Sequence, residues 1–186
     1  MRAVFERVDI PTEQPLLSLF VYILILATAG VIINVPSALG EEVGWRGLLV
    51  PELARLVSPE RVALIGGLVW AAWHLPAVWF ADYGTSGAPR WFGTICFTAL
   101  AVGVSFLCTW LRLRSGSVWP AVLLHASHNV IIQAVLTPLT ADTGPTPYLI
   151  DEFGLVTVAM VWVAVAFLWR RDRDLLWPIV EEQATM

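Results

Sequence analysis

The chain has 186 residues, of which 58% are hydrophobic and only 14% charged, with a formal net charge of −4. Soluble domains run at about 45–50% apolar and about 25% charged, so this composition excludes an ordinary soluble fold and points to lipid as the solvent. The modest negative charge, with no run of basic residues to track a phosphate backbone, excludes nucleic acid as a partner.

Stretches free of Asp, Glu and Arg mark the elements, because about 20 apolar residues are needed to cross the hydrocarbon core. Such windows cover residues 14–40, 62–81, 91–111, 115–141 and 153–169. They predict five spans, the last only just long enough. The small-residue run Ala27-Thr28-Ala29 mimics a signal-peptidase site, but no basic region precedes it and apolar sequence continues past it, so no cleavage is expected. Between the first two windows, residues 36–57 form a sixth segment that is half apolar yet carries Glu41, Glu42, Arg46, Glu52 and Arg55. A helix is predicted there from near Pro36 or Ser37 to about Leu56, with Pro51 as a kink. It either crosses the bilayer or re-enters, and its charges must be paired or face a wet cavity.

Trp79, Trp91, Trp110, Trp119 and Trp169 stand near the ends of apolar stretches, where an interfacial belt is expected. Cys96 and Cys108 fall on one predicted helix, about 18 Å apart at 1.5 Å per residue, so they cannot bridge and read as small apolar fillers. The fold class expected is all-α: a polytopic transmembrane helical bundle with about six membrane segments. It forms one membrane domain over residues 1–186, with the polar motifs in a core of about 36–138.

Six crossings would gather Arg2, Arg7, Arg55, Arg61, Arg112, Arg114, Arg170, Arg171 and Arg173 on one side. Arg90, Asp82, Asp142, Asp151 and Glu152 would lie on the other. The positive-inside rule then makes both termini cytoplasmic. All basic residues are Arg and none is Lys, as a GC-rich genome would produce, and a bacterial plasma membrane is the expected location.

Three polar clusters interrupt the apolar sequence. In Glu41-Glu42-Val43-Gly44-Trp45-Arg46, Glu42 and Arg46 are four apart and meet on one helix face. Glu41 points about 100° away. Taken alone, the pair also suits a solvated helix start with acids favoured by the dipole. The second cluster is Trp70-Ala71-Ala72-Trp73-His74, with Gly66 and Gly67 one turn earlier to admit a neighbouring backbone. A lone His there is as compatible with packing as with chemistry. In the third, Leu124-His125-Ala126-Ser127-His128-Asn129, His125 and Asn129 share a face while His128 lies about 100° from Asn129. Interhelical hydrogen-bond glue is the plain reading. Together, the clusters supply a base, imidazoles and an amide, the parts for water activation and oxyanion stabilisation.

The three motifs, EExxxR at Glu41 to Arg46, aromatic-xxx-His at Trp70 to His74, and HxxxN at His125 to Asn129, resemble those of the CPBP family. These are intramembrane endopeptidases related to the type II CAAX prenyl protease and to bacteriocin-processing and immunity proteins. The resemblance runs from about residue 40 to 132, and the family usually has Phe where Trp70 stands. It implies a helical core with a water-filled cavity. Glu41 would be the general base on a water that His74 helps to hold, and His125 and Asn129 would stabilise the oxyanion. Glu42, Arg46 and Trp70 would support them, with no cofactor. The alternative is a zinc site of Glu41, His74 and His125 with an open fourth position. The expected partners are the lipid bilayer and a membrane-associated peptide or protein substrate, with peptide maturation or self-immunity favoured over prenylated substrates. The rival reading is a non-enzymatic scaffold or degenerate immunity protein, in which the polar groups only hold helices together.

Overall fold

The computed structural model describes residues 14–81, 83–84 and 87–185, with side chains as far as 171. Arg2, Arg7, Asp82 and the side chain of Arg173 therefore lie outside the described residues. The described chain is helical without strands: α1 Pro15–Ala54, α2 Pro59–Phe80, α3 Arg90–Ser115, α4 Trp119–Leu139, the short α5 Thr146–Leu149, and α6 Leu155–Thr185. The helices α1 to α4 are long and apolar enough to cross a membrane. With the bundle they form, this makes the chain an integral membrane protein.

The first charge-free window and the Glu-bearing segment form one unbroken helix. At 40 residues, α1 is about 60 Å long, roughly twice the hydrocarbon thickness. A re-entrant hairpin within 36–57 would need a turn, and the backbone stays helical through Pro36 to Ala54. Pro51 removes one backbone donor and its ring crowds the preceding turn. The helix widens to π geometry over Val43–Leu49, immediately before that proline. α4 does the same over Val130–Leu136 before Pro138. Such wide turns absorb the clash locally, so neither helix breaks.

The centre of the bundle is α3. Its buried face includes Phe97, Leu100, Ala101, Val104 and Cys108. α2 approaches it at Gly67, where an added Cβ would lie 2.6 Å from the Val102 Cα, so only glycine permits this spacing. Both cysteines are buried and unbridged. α1 runs beside α4, linked by Tyr22 Oη donating to the Ala134 carbonyl at 2.8 Å and Asn129 Nδ2 donating to Asn34 Oδ1 at 3.3 Å. That pairing puts the paired glutamates of α1 opposite the HxxxN face of α4. A second apolar cluster, with Val50, Ala54, Val62, Leu113 and Trp169, ties the far end of α1 to α2, α3 and α6.

Candidate active site

The paired glutamates sit where α1 passes from α to π geometry, and they point to different partners. Glu42 is fully buried and accepts from Arg46 Nη1 at 2.8 Å. The same oxygen faces His125 Nδ1 at 3.0 Å, so Glu42 binds α1 to α4 as well as to its own helix. Arg46 also lies over the Trp70 ring at 5.0 Å, a cation–π contact in a desolvated setting. Its backbone carbonyl accepts from Arg112 Nε at 2.8 Å, which draws in α3.

Glu41 turns the other way and accepts from Trp70 Nε1 at 2.9 Å through Oε2. A phenylalanine at position 70 could not make this bond. His74 Nδ1 lies 3.0 Å from the Trp70 carbonyl one turn back. Since a carbonyl only accepts, that nitrogen carries the proton, and in the neutral ring Nε2 holds the lone pair. The Trp70 ring packs edge-on against both His74 and His125, with centroids 5.8 and 5.3 Å away. Trp70 thus holds together residues from all three motifs.

Glu41, His74, His125 and Asn129 line one cavity of about 70 Å³. A water occupies about 30 Å³, so this volume suits about two waters. Trp70 also lines it, while Glu42 and Arg46 lie behind its wall. Among the described residues, no group of three His, Cys, Asp or Glu side chains is placed to hold a metal ion.

Three further polar side chains reach the cavity: Tyr83, His128 and Glu152. Glu152 lies in the segment between α5 and α6, outside the helices, yet it is buried. Its Oε1 is 3.2 Å from His128 Nε2, and its Oε2 accepts from Tyr83 Oη at 2.7 Å. Burial alone would favour a neutral carboxyl. Hydrogen bonds from His128, Tyr83 and Gln133, with the charge of His128, outweigh burial and hold Glu152 below its ordinary value. Burial and the neighbouring Glu152 charge push the Tyr83 phenol up. His128 does lie off the face shared by His125 and Asn129, but the cavity is wide enough at this level to take in both faces. Glu152 and Tyr83 were missed because both stand outside the apolar windows and beyond the motifs. Only an acid beside Phe153 at the edge of a span could have hinted at burial.

These features define a helical membrane protein with a buried cavity of carboxylate, imidazole and amide groups. Residues 15–131 match the family described as type II CAAX prenyl endopeptidase Rce1-like, and the chain belongs to that family. A similar protein is CAAX prenyl protease 2 of Methanococcus maripaludis, 26% identical over 111 residues. The shared stretch is 58% of this chain, and the chain covers 40% of that relative's length. No solved structure matches the chain. The matched residues include all three motifs but not Glu152.

Proposed function

We propose that the chain is a metal-free intramembrane endopeptidase that hydrolyses a peptide bond of a membrane-associated substrate. The observation that carries this reading is the convergence of Glu41, His74, His125 and Asn129, from three helices, on one water-sized buried cavity. In the reaction, Glu41 takes a proton from a water whose other hydrogen is accepted by His74 Nε2. The water oxygen bonds to the scissile carbonyl carbon. The carbonyl oxygen becomes an oxyanion held by the Asn129 amide N–H and by the Nε2–H of a doubly protonated His125. Collapse breaks the C–N bond, and Glu41 returns its proton to the leaving amine.

Glu42 supports this chemistry from behind His125. The carboxylate accepts from Nδ1, orients the ring and stabilises its imidazolium form, in which Nε2 also carries a hydrogen to donate. Trp70 occupies one oxygen of Glu41 and leaves the other as the base. The assay is purified chain in lipid vesicles with an apolar, membrane-anchored fluorogenic peptide. Cleavage that persists after treatment with a zinc chelator supports the reading. Cleavage lost to the chelator and restored by zinc would replace it with a metal mechanism, and no cleavage would favour the scaffold alternative.

Sidedness changes once α1 is a single rod. If each long helix crosses once, Arg55, Arg61, Arg112, Arg114, Arg170 and Arg171 share the cytoplasmic face, and the start of α1 lies opposite. The end of α6 is then cytoplasmic and the start of α1 is not. Cysteines introduced at 16 and 56 should label from opposite sides of sealed vesicles. Labelling from the same side would restore the six-crossing arrangement.

A further inference from the structure

The cavity around Glu41 is too small for a peptide. Ligand sites generally enclose about 300–1,000 Å³, several times the 70 Å³ found here. A peptide whose scissile bond reaches the base must therefore extend beyond this cavity. Beside the cavity runs a second hollow of about 330 Å³, a groove between α3, α4 and α6. Its walls are mostly apolar, with Leu107, Ile132, Leu136, Met160 and Val161 among them. His128 lines both spaces. The neighbouring acids divide between them, Asp151 facing the groove and Glu152 the cavity. His128 and its partner Glu152 therefore stand at the boundary between the two spaces.

The backbone that carries Glu152 is set for this position. Asp151 adopts φ of +68°, a left-handed conformation uncommon for a residue with a side chain. Its carboxylate accepts from the Glu152 backbone N–H at 2.7 Å, which steadies the turn. Phe153 then anchors the segment, stacked on Phe97 at 5.2 Å. At Gly84, a Cβ would lie 2.1 Å from the Phe153 ring, so glycine is required there. The His128–Glu152 contact adds a polar, breakable link to this apolar anchor.

Building on the peptidase reading, we propose that the groove receives an apolar stretch of the peptide substrate, and that the His128–Glu152 pair is the gate between groove and Glu41. The groove is large enough for several side chains and borders the cavity at His128. Its apolar walls suit a chain drawn from the membrane. Asp151 and His128 at the gate offer hydrogen bonds to the peptide backbone where it turns inward. Tyr83 braces Glu152 and keeps the gate closed when no substrate is present.

Two measurements on the full chain test this without requiring cleavage. In the first, a photoreactive benzoylphenylalanine replaces Met160 in the groove, or Val163 on the same helix, in a Glu41→Gln background. Val163 is 71% exposed and does not line the groove. In phosphatidylglycerol vesicles with a synthetic twenty-residue Leu/Ala peptide, position 160 should give about tenfold more peptide adduct than 163. Equal yields would mean that lipid fills the groove, and would overturn its assignment. In the second, Ala101→Cys, on the cavity wall, reports access by a small methanethiosulfonate in a Cys96→Ala, Cys108→Ala background. Glu152→Gln should speed labelling about tenfold, with thermal unfolding close to that of the parent. Should Glu152→Gln fail to accumulate, Tyr83→Phe removes one hydroxyl and should speed labelling several-fold. Unchanged rates in the variants that fold would overturn the gate. An inactive wild-type chain that still passes both measurements would fault the peptidase reading and leave the groove and gate standing.

Discussion

Glu41→Gln should abolish cleavage while leaving the protein folded, with kcat/KM reduced by about 10²- to 10⁴-fold, the usual cost of losing a general base. The substitution keeps the side chain's volume, and its amide oxygen can still accept from Trp70 Nε1, so the 2.9 Å bond between α1 and α2 survives. Arg46, Glu42 and His125 are untouched, because their network uses the neighbouring carboxylate. The only thing removed is a proton acceptor beside the cavity. Turnover by purified protein, normalised to an unfolding midpoint in the same detergent, is the measurement. A variant with wild-type turnover would show that Glu41 is not the base.

Much of this arrangement can be read from the chain because a bilayer makes polar residues conspicuous. Glu41, His74, His125 and Asn129 stand out against apolar windows, and helical spacing alone places His125 and Asn129 on one face. The Glu42–Arg46 pair follows from the same geometry. What spacing cannot give is contact between helices. Glu42 touches His125 across 83 residues of sequence, and Asn129 meets Asn34 across 95. The joining of the first span to the Glu-bearing segment was also hidden. Pro36, the charges and Pro51 look like punctuation, yet π turns absorb the strain and the helix continues. Glu152 was least legible. A loop acid beside Asp151 reads as solvated, and its burial depends on Phe153 finding space at Gly84 and Gly93 in a different loop and helix.

Glu42→Gln should fail for a different reason, as poor accumulation before any question of turnover. Glu42 and Arg46 have side-chain exposures of 0% and 1%, so removing the carboxylate strands a guanidinium where water cannot compensate. Breaking such a pair from one side costs about 3–5 kcal/mol, enough to unfold a marginally stable domain. Already in the wild type, Glu42 Oε2 and Arg46 Nε and Nη2 are buried with no hydrogen-bond partner among the described residues. The pair is thus an imperfectly satisfied one, which stability alone does not explain. Removing both charges separates the two roles. Glu42→Leu with Arg46→Met replaces the ion pair by apolar groups, an exchange that is often neutral or stabilising. The double variant should therefore recover most of the accumulation lost in Glu42→Gln. It should not recover cleavage, because His125 Nδ1 has lost the carboxylate 3.0 Å behind it, which orients the ring and stabilises its imidazolium form. The loss in kcat should be about 10²-fold or more, by analogy with the carboxylate behind a catalytic imidazole. Quantifying the folded protein by fluorescence-detected chromatography and turnover on the same sample distinguishes the outcomes. A double variant that is well folded and fully active would show that Glu42 serves architecture alone.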